Sequence, residues 1–259
     1  MKFYEFGQPN KKSIVFLHGA NTGAWMWRSL IANLQGYHCI AVDLPGHGNS
    51  SQIDWISFEE TANQVAALIK AKAKPDASVV GISLGGYVAL YLLKDWPQPI
   101  ENIMISGIQA KPIPNRQMMG LIGRAMLPFL HHDWLLEMNA KSLNLPDSEL
   151  ADYLKQAKKN SRSAIAKINQ QALDFMPPDA ALQSPCRKLF VAGAREHPTI
   201  LESLEIFQQR SRQAQCCTVP HVGHGWSNEN PALFAESLDC WIQQRSLPAV
   251  LHPVAQPLA

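Results

Sequence analysis

The segment Gly81-Ile82-Ser83-Leu84-Gly85-Gly86 follows the apolar pair Val79-Val80 and leads straight into a helix-like stretch that ends before Pro97. A strand that turns directly into a helix forces the residue at the turn into an unfavourable backbone conformation. Side chains on either side would collide there, so the turn needs glycine neighbours. The hydroxyl of Ser83 is thereby held clear of the chain. Short Gly/Ser turns also arise by chance; the placement between strand and helix sets this one apart.

The rest of the chain carries the same alternation. Apolar or β-branched runs at Ser13 to Leu17, Tyr37 to Val42, Ser78 to Ile82, Ile100 to Ile105, Lys188 to Ala192 and Cys216 to Val219 read as strands buried on both faces. Helical segments lie between them. Ser57 with Glu60 forms a capping box ahead of Val65, Leu68 and Ile69, and Asn230 with Pro231 opens a helix that carries Phe234, Leu238, Trp241 and Ile242 on one face. Strands alternating with crossover helices predict an α/β fold with a doubly wound, mainly parallel sheet, whose reactive groups lie beyond the carboxyl ends of the strands.

About 80 residues separate the strand ending at Ser106 from the one starting at Lys188, too many for an ordinary connection. Met118 to Leu130 is rich in Met, Leu, Ile and Phe, and Asp147 to Phe175 reads as two more polar amphipathic helices. This predicts a core made of residues 1–107 and 186–259, with residues 108–185 inserted as a helical lid. An apolar lid face suits a hydrophobic substrate, and packing of lid against body gives the same pattern. The tail from Ser246, with three prolines and no charged residue, reads as a loose end.

A chain of 259 residues suffices for one large domain. With 46% hydrophobic and 17% charged residues it reads as a globular enzyme rather than a disordered chain. No apolar run approaches the roughly 18 residues needed to span a bilayer, and the start does not resemble a signal peptide; a cytoplasmic location is the expectation. Five cysteines without CxxC spacing read as reduced, packed thiols. The net charge of +2, with dispersed Lys and Arg, offers no basic stripe for nucleic acid. The histidines lack HxH or HExxH spacing, so neither a metal nor another cofactor is expected.

A serine hydroxyl is a weak nucleophile at neutral pH and needs a base, for which histidine is best suited. His224 stands in the loop Pro220-His221-Val222-Gly223-His224-Gly225-Trp226, after the last predicted strand and after Ser83 in the chain. Its flanking glycines suit a close approach to the elbow. His221 is the local rival, and His131 and His132 read as surface residues of the lid. A carboxylate must fix the imidazole tautomer. Glu196 is the sole acid in Gly193-Ala194-Arg195-Glu196-His197, after the strand Leu189 to Ala192. It competes with a reading as a surface Glu paired with Arg195; Glu236 and Asp239 on the last helix are poorer candidates. Backbone N–H groups would stabilise the oxyanion, one from Leu84 after the nucleophile and one from Ala20 in the loop after Ser13 to Leu17.

His18-Gly19, Asp43-Leu-Pro-Gly-His-Gly-Asn-Ser50, the Ser83 elbow, Gly193 to Glu196 and the His224 loop together resemble the α/β-hydrolase superfamily, in the branch with a helical lid after the sixth strand. The likeness covers about Ser13 to Arg245. It implies Ser83, Glu196 and His224 as a triad, and Asp43 and His47 as braces for the loops near the site. One departure is that most relatives with this lid carry Asp where Glu196 stands. Gly23-Ala-Trp25-Met-Trp27 also looks like the early region of plant-type methylesterases and hydroxynitrile lyases, although tryptophans there can equally pack the loop. Ser83 at the elbow argues against dehalogenase and epoxide hydrolase chemistry, which uses a carboxylate nucleophile.

The residues therefore predict a serine hydrolase acting on a small-molecule acyl substrate, foremost a carboxylic ester of small or medium acyl length. Two alternatives remain: a C–C bond hydrolase or lyase of the same fold, and a ligand receptor that retains the pocket.

Overall fold

The computed structural model describes residues 1–94 and 100–255. The first half contains β1 (Lys2–Phe6), β2 (Ser13–Leu17), α1 (Arg28–Ile31), β3 (His38–Asp43), α2 (Phe58–Lys72), β4 (Ser78–Ile82), α3 (Leu84–Leu92) and β5 (Asn102–Ser106). Five helices follow: α4 (Arg116–Met126), α5 (Asp133–Ser142), α6 (Asp147–Ala157), α7 (Arg162–Leu173) and α8 (Asp179–Gln183). The chain then returns through β6 (Arg187–Gly193), α9 (Pro198–Arg210), β7 (Ala214–Val219), α10 (Trp226–Glu229), α11 (Pro231–Ile242) and β8 (His252–Pro253).

The six apolar runs are β2 to β7. Side chains alternate across a strand, so a strand with helices on both sides must be apolar at every position. In β2, Ile14 and Phe16 pack with Trp27, Leu30, Phe234 and Leu238, whereas Val15 and Leu17 pack with Val65, Ile69 and Val88. The sheet of the described residues has the order β1-β3-β2-β4-β5-β6-β7-β8. The pairs from β3 through β7 are parallel, and the edge strands β1 and β8 are antiparallel.

Helix starts follow the expected chemistry. Ser57 Oγ accepts from the Glu60 amide at 3.0 Å to open α2, and Asn230 Oδ1 accepts from the Leu233 amide at 3.0 Å to open α11. The helix after the elbow spans Leu84–Leu92; its expected limit, Pro97, lies outside the described residues.

Two expectations need correction. The helical insertion follows the fifth strand in chain order, not the sixth, because β1 is the sole described strand ahead of the apolar runs. The tail is not loose up to residue 255. β8 pairs with Cys217 and Thr218, Leu251 is buried in the core, and the Val254 amide donates to Cys216 O.

The insertion packs in two ways. Ala164 and Ile168 of α7 and Ala181 and Leu182 of α8 join the core beneath the sheet. Leu136, Ala140, Tyr153 and Ala157 form a separate small cluster between α5 and α6. The indole of Trp25 meets Tyr153 edge-on at 5.9 Å and so ties this cluster to the body, while Trp27 is fully buried. Both tryptophans pack their loop.

Gly85 sets how closely α3 lies on β2: a Cβ there would stand 2.0 Å from Leu17 O. A backbone atom cannot move aside as a side chain can. Gly85→Ala is expected to destabilise the protein by about 3 kcal/mol, at the upper end of overpacking effects, read as a lower urea midpoint. An unchanged midpoint would show that α3 can shift freely.

Candidate active site

Ser83 joins β4 to α3 at φ 50° and ψ −114°. Few non-glycine residues hold a positive φ, and two hydrogen bonds keep this one in place. The Ser83 amide donates to Ser106 O at 2.9 Å, and the Gly85 amide to His18 O at 3.0 Å. The elbow is thus tied to the ends of β5 and β2 on its two sides.

The histidine loop follows β7 and runs into α10. Trp226, fully buried, donates from Nε1 to Ser106 Oγ at 2.8 Å, which anchors the loop beside the elbow. His224 Nδ1 lies 3.0 Å from each carboxylate oxygen of Glu196. The Glu196 side chain is 3% exposed and the His224 side chain 36%, so the acid is sealed away while part of the ring faces the cleft. Burial pulls the imidazole pKa down, and the hydrogen bond and negative charge of Glu196 outweigh it, leaving a net upward shift. Glu196 is therefore held by His224 and not by Arg195. His221 is exposed, with φ 65°.

Ser83 and His224 line one cavity of about 630 Å³. No hydrogen bond joins them among the described residues, and such bonds are often long before substrate binds. The proposed oxyanion donors come from two separate segments, Leu84 next to Ser83 and Ala20 in the loop after β2. Leu84 opens α3, and neither its amide nor that of Ala20 donates to a backbone carbonyl among the described residues. Gly19 lies against the elbow, since a Cβ on it would be 3.8 Å from Ser83 Cβ.

Gly107 is a part of the site that the sequence does not single out. It has φ +68°, and a Cβ there would stand 2.7 Å from His224 Cε1 and 3.1 Å from Glu196 Oε1. Its one sequence signal is its position directly after the last residue of β5, the strand next to the elbow. The glycines around His224 also differ from expectation. Gly223 has open space apart from Glu229 Oε1 at 3.8 Å, whereas a Cβ on Gly225 would stand 2.0 Å from Leu143 O. Gly225 therefore admits the insertion rather than the elbow.

Beneath the site, His18, His47 and Asp43 knit three loops together. His18 Nδ1–H donates to Gly19 O at 2.8 Å, and Nε2 accepts from the Leu44 amide at 3.0 Å. His47 Nδ1–H donates to Pro45 O at 3.1 Å, and Nε2 accepts from the Asn21 amide at 3.3 Å. Asp43 accepts from the amides of Ala24 at 2.8 Å and Asn49 at 2.9 Å. Each ring uses one nitrogen as acceptor, so both are neutral. Burial lowers His18 to about 4, and burial together with the neighbouring His18 lowers His47 to about 3.

A depressed histidine pKa favours the neutral form in the folded state. That stability is fully present above the ordinary value near 6.5 and is lost as pH falls toward the folded-state value. The loss is expected to reach about 3 kcal/mol per imidazole by about pH 4. The ring proton resonances of both histidines should keep their neutral-form shifts down to about pH 5. Titration near the ordinary value would contradict this assignment.

Among the described residues no helix is long and apolar enough to cross a membrane. The five cysteines are all buried and free.

The model of the alpha/beta hydrolase family matches residues 14–237. An AB hydrolase superfamily protein of Gibberella zeae is 28% identical over 255 residues, covering 95% of this chain and 85% of that protein. The 2-succinyl-6-hydroxy-2,4-cyclohexadiene-1-carboxylate synthase of Escherichia coli is 24% identical over 245 residues, covering 90% and 94%. Among solved structures, the esterase EaEST from Exiguobacterium antarcticum superposes with a TM-score of 0.79 at 17% identity, over 93% of this chain and 94% of that one. MenH from S. aureus gives a TM-score of 0.77 at 19% identity, over 93% and 98%. The family match runs from β2 into α11 and takes in the whole parallel sheet together with the elbow, so this chain belongs to the alpha/beta hydrolase family.

Proposed function

We propose that the chain is a serine hydrolase that cleaves carboxylic esters of small or medium acyl length through an acyl-enzyme on Ser83. The observation that carries this reading is the buried Glu196 bonded to His224 in the same cavity that Ser83 lines. His224 takes the Ser83 proton as Oγ attacks the ester carbonyl. It returns that proton to the departing alkoxide, which leaves as an alcohol. Water then gives a proton to His224 and attacks the acyl group, releasing the carboxylic acid and restoring Ser83. Glu196 holds the imidazole in the Nδ1–H tautomer and balances its charge, and the Ala20 and Leu84 amides receive the oxyanion.

The acyl length rests on a second space. Met126, Leu127, Leu130, Leu135 and Met138 line a cavity of about 290 Å³ that also touches Asn21, next to the proposed donor Ala20. Ser142 borders both cavities. Residues 108–185 accordingly act as a lid over the core of residues 1–107 and 186–259, with room among its side chains for an acyl chain that bears no charge. Initial rates on p-nitrophenyl esters from acetate to dodecanoate should rise and then fall, with the maximum no later than octanoate. Absence of turnover along the whole series would overturn the ester reading.

A second reading, elimination or C–C cleavage at the same site, draws support from the Escherichia coli synthase, which aligns over nearly its whole length. The two readings part on covalent chemistry. An acyl-enzyme should be trapped on Ser83 as a mass increase after rapid acid quench with a slow ester, and elimination without an acyl-enzyme leaves the mass unchanged.

A further inference from the structure

The cavity holding Ser83 and His224 is unevenly charged. Lys141 and Arg195 line it against one carboxylate, Glu196, and both oxygens of Glu196 are already taken by the His224 ring. Lys141 and Arg195 are exposed, and neither has a side-chain partner among the described residues. Three other cations of the insertion pair with carboxylates, Lys111 with Glu202, Arg116 with Asp174 and Lys158 with Asp133. Glu137 precedes Lys141 by one helical turn, the spacing at which a Glu ordinarily engages a Lys, yet it leaves Lys141 unpaired.

Both positions are built into the backbone. Lys141 stands in the last turn of α5, where the chain reverses through Asn144 at φ 47°. Leu143 O then reaches so close to Gly225 that a Cβ would be 2.0 Å away, and it also accepts from Asn228 Nδ2 at 3.4 Å. The end of α5 is thus fastened to the residue after His224. Arg195 is held from the other side of the sequence, since its amide donates to Val222 O at 2.9 Å in the same histidine loop. Two unpaired cations on fixed supports in one concave site raise its affinity for negative charge.

We infer that this cavity contains an anion subsite, and that the substrate is an ester carrying a carboxylate, which Lys141 and Arg195 hold while Ser83 faces the ester carbonyl. The scissile bond in this statement rests on the ester-hydrolase reading; recognition of the anion does not require turnover. Half-esters of short dicarboxylic acids are the chemical class that fits.

The test separates the two. Monophenyl glutarate and phenyl pentanoate have acyl chains of equal length and differ in the terminal carboxylate. Their Kd values are measured by ligand-observed NMR on Ser83→Ala, alone and combined with Lys141→Gln, with Arg195→Gln and with both. The anionic ester should bind about tenfold more tightly at low salt, and the preference should shrink at about 0.5 M salt because exposed charges are screened. Each single substitution should reduce it, and the double substitution should bring the ratio close to one. Lys141→Gln is the cleaner single variant because Arg195 adjoins Glu196. Equal Kd values, no binding of either ester, or a preference that survives the double substitution would overturn the subsite. Turnover of both esters by the wild type is read separately. Its absence beside an intact anion preference sinks the hydrolase reading and leaves the subsite, and turnover without preference does the reverse.

Discussion

Ser83→Ala is expected to lose about a million-fold in kcat on the best ester, the scale on which removing a triad nucleophile acts in a serine hydrolase. The residue at this turn occupies φ 50°, where its side chain stands away from β4 and α3, and no side-chain hydrogen bond of Ser83 caps the helix. Removing Oγ therefore removes the proposed nucleophile without removing a structural contact, and the melting temperature should stay close to that of the wild type. Ser83→Gly sharpens the point. Glycine tolerates this backbone region, whereas a side chain there costs on the order of 1 kcal/mol or more. The glycine variant should accordingly be inactive and more stable than the wild type. Activity persisting in either variant, measured with the enzyme free of wild-type carry-over, would remove Ser83 from the mechanism.

What could be read in advance follows from how local each signal is. The parallel strands announce themselves because burial on both faces demands unbroken apolar runs, as in Ile14 to Leu17 and Val79-Val80. The elbow is legible because its steric demand falls on adjacent residues. β1 and β8 are not, since an edge strand is exposed and needs only one partner. Lys2–Phe6 mixes charge with aromatic residues, and β8 is two residues long with Pro253 among them. Lys188 shows a further limit. It opens an apolar run, yet its side chain is fully buried, with the ammonium donating to Ser184 O, Cys186 O and Arg212 O and its pKa lowered by burial to about 8. Gly107 and Gly225 owe their importance to His224 and Leu143, partners far away in the sequence. Only the folded chain brings those pairs together, and the same holds for Lys141 and Arg195.

Glu196→Gln is expected to lower kcat by about ten-thousand-fold, as loss of the correct imidazole tautomer does in a serine triad. The carboxylate accepts from Nδ1 with both oxygens at 3.0 Å, so either face of the group favours a proton on Nδ1 and leaves Nε2 free to take the one from Ser83. An amide presents one acceptor and one donor. In one orientation its N–H groups point at Nδ1 and drive the proton to Nε2, where it blocks the base. The substitution should also be visible in the pH profile, which a purely structural role would not alter in this direction. His224 must be neutral to act as base, and Glu196 raises its pKa, so the acid limb of kcat/KM in the wild type should lie above the ordinary histidine value of about 6.5. Replacing the charge by an amide takes away the cause of that rise while burial still favours the neutral ring. The limb should therefore move to lower pH in Glu196→Gln, even as the plateau falls. Glu196→Asp isolates reach from charge: it keeps the carboxylate but shortens it by one methylene, so the limb should stay nearer its wild-type position than in Glu196→Gln, with a smaller loss of rate. A Glu196→Gln enzyme with a near-wild-type plateau and an unmoved limb would show that another acid serves His224.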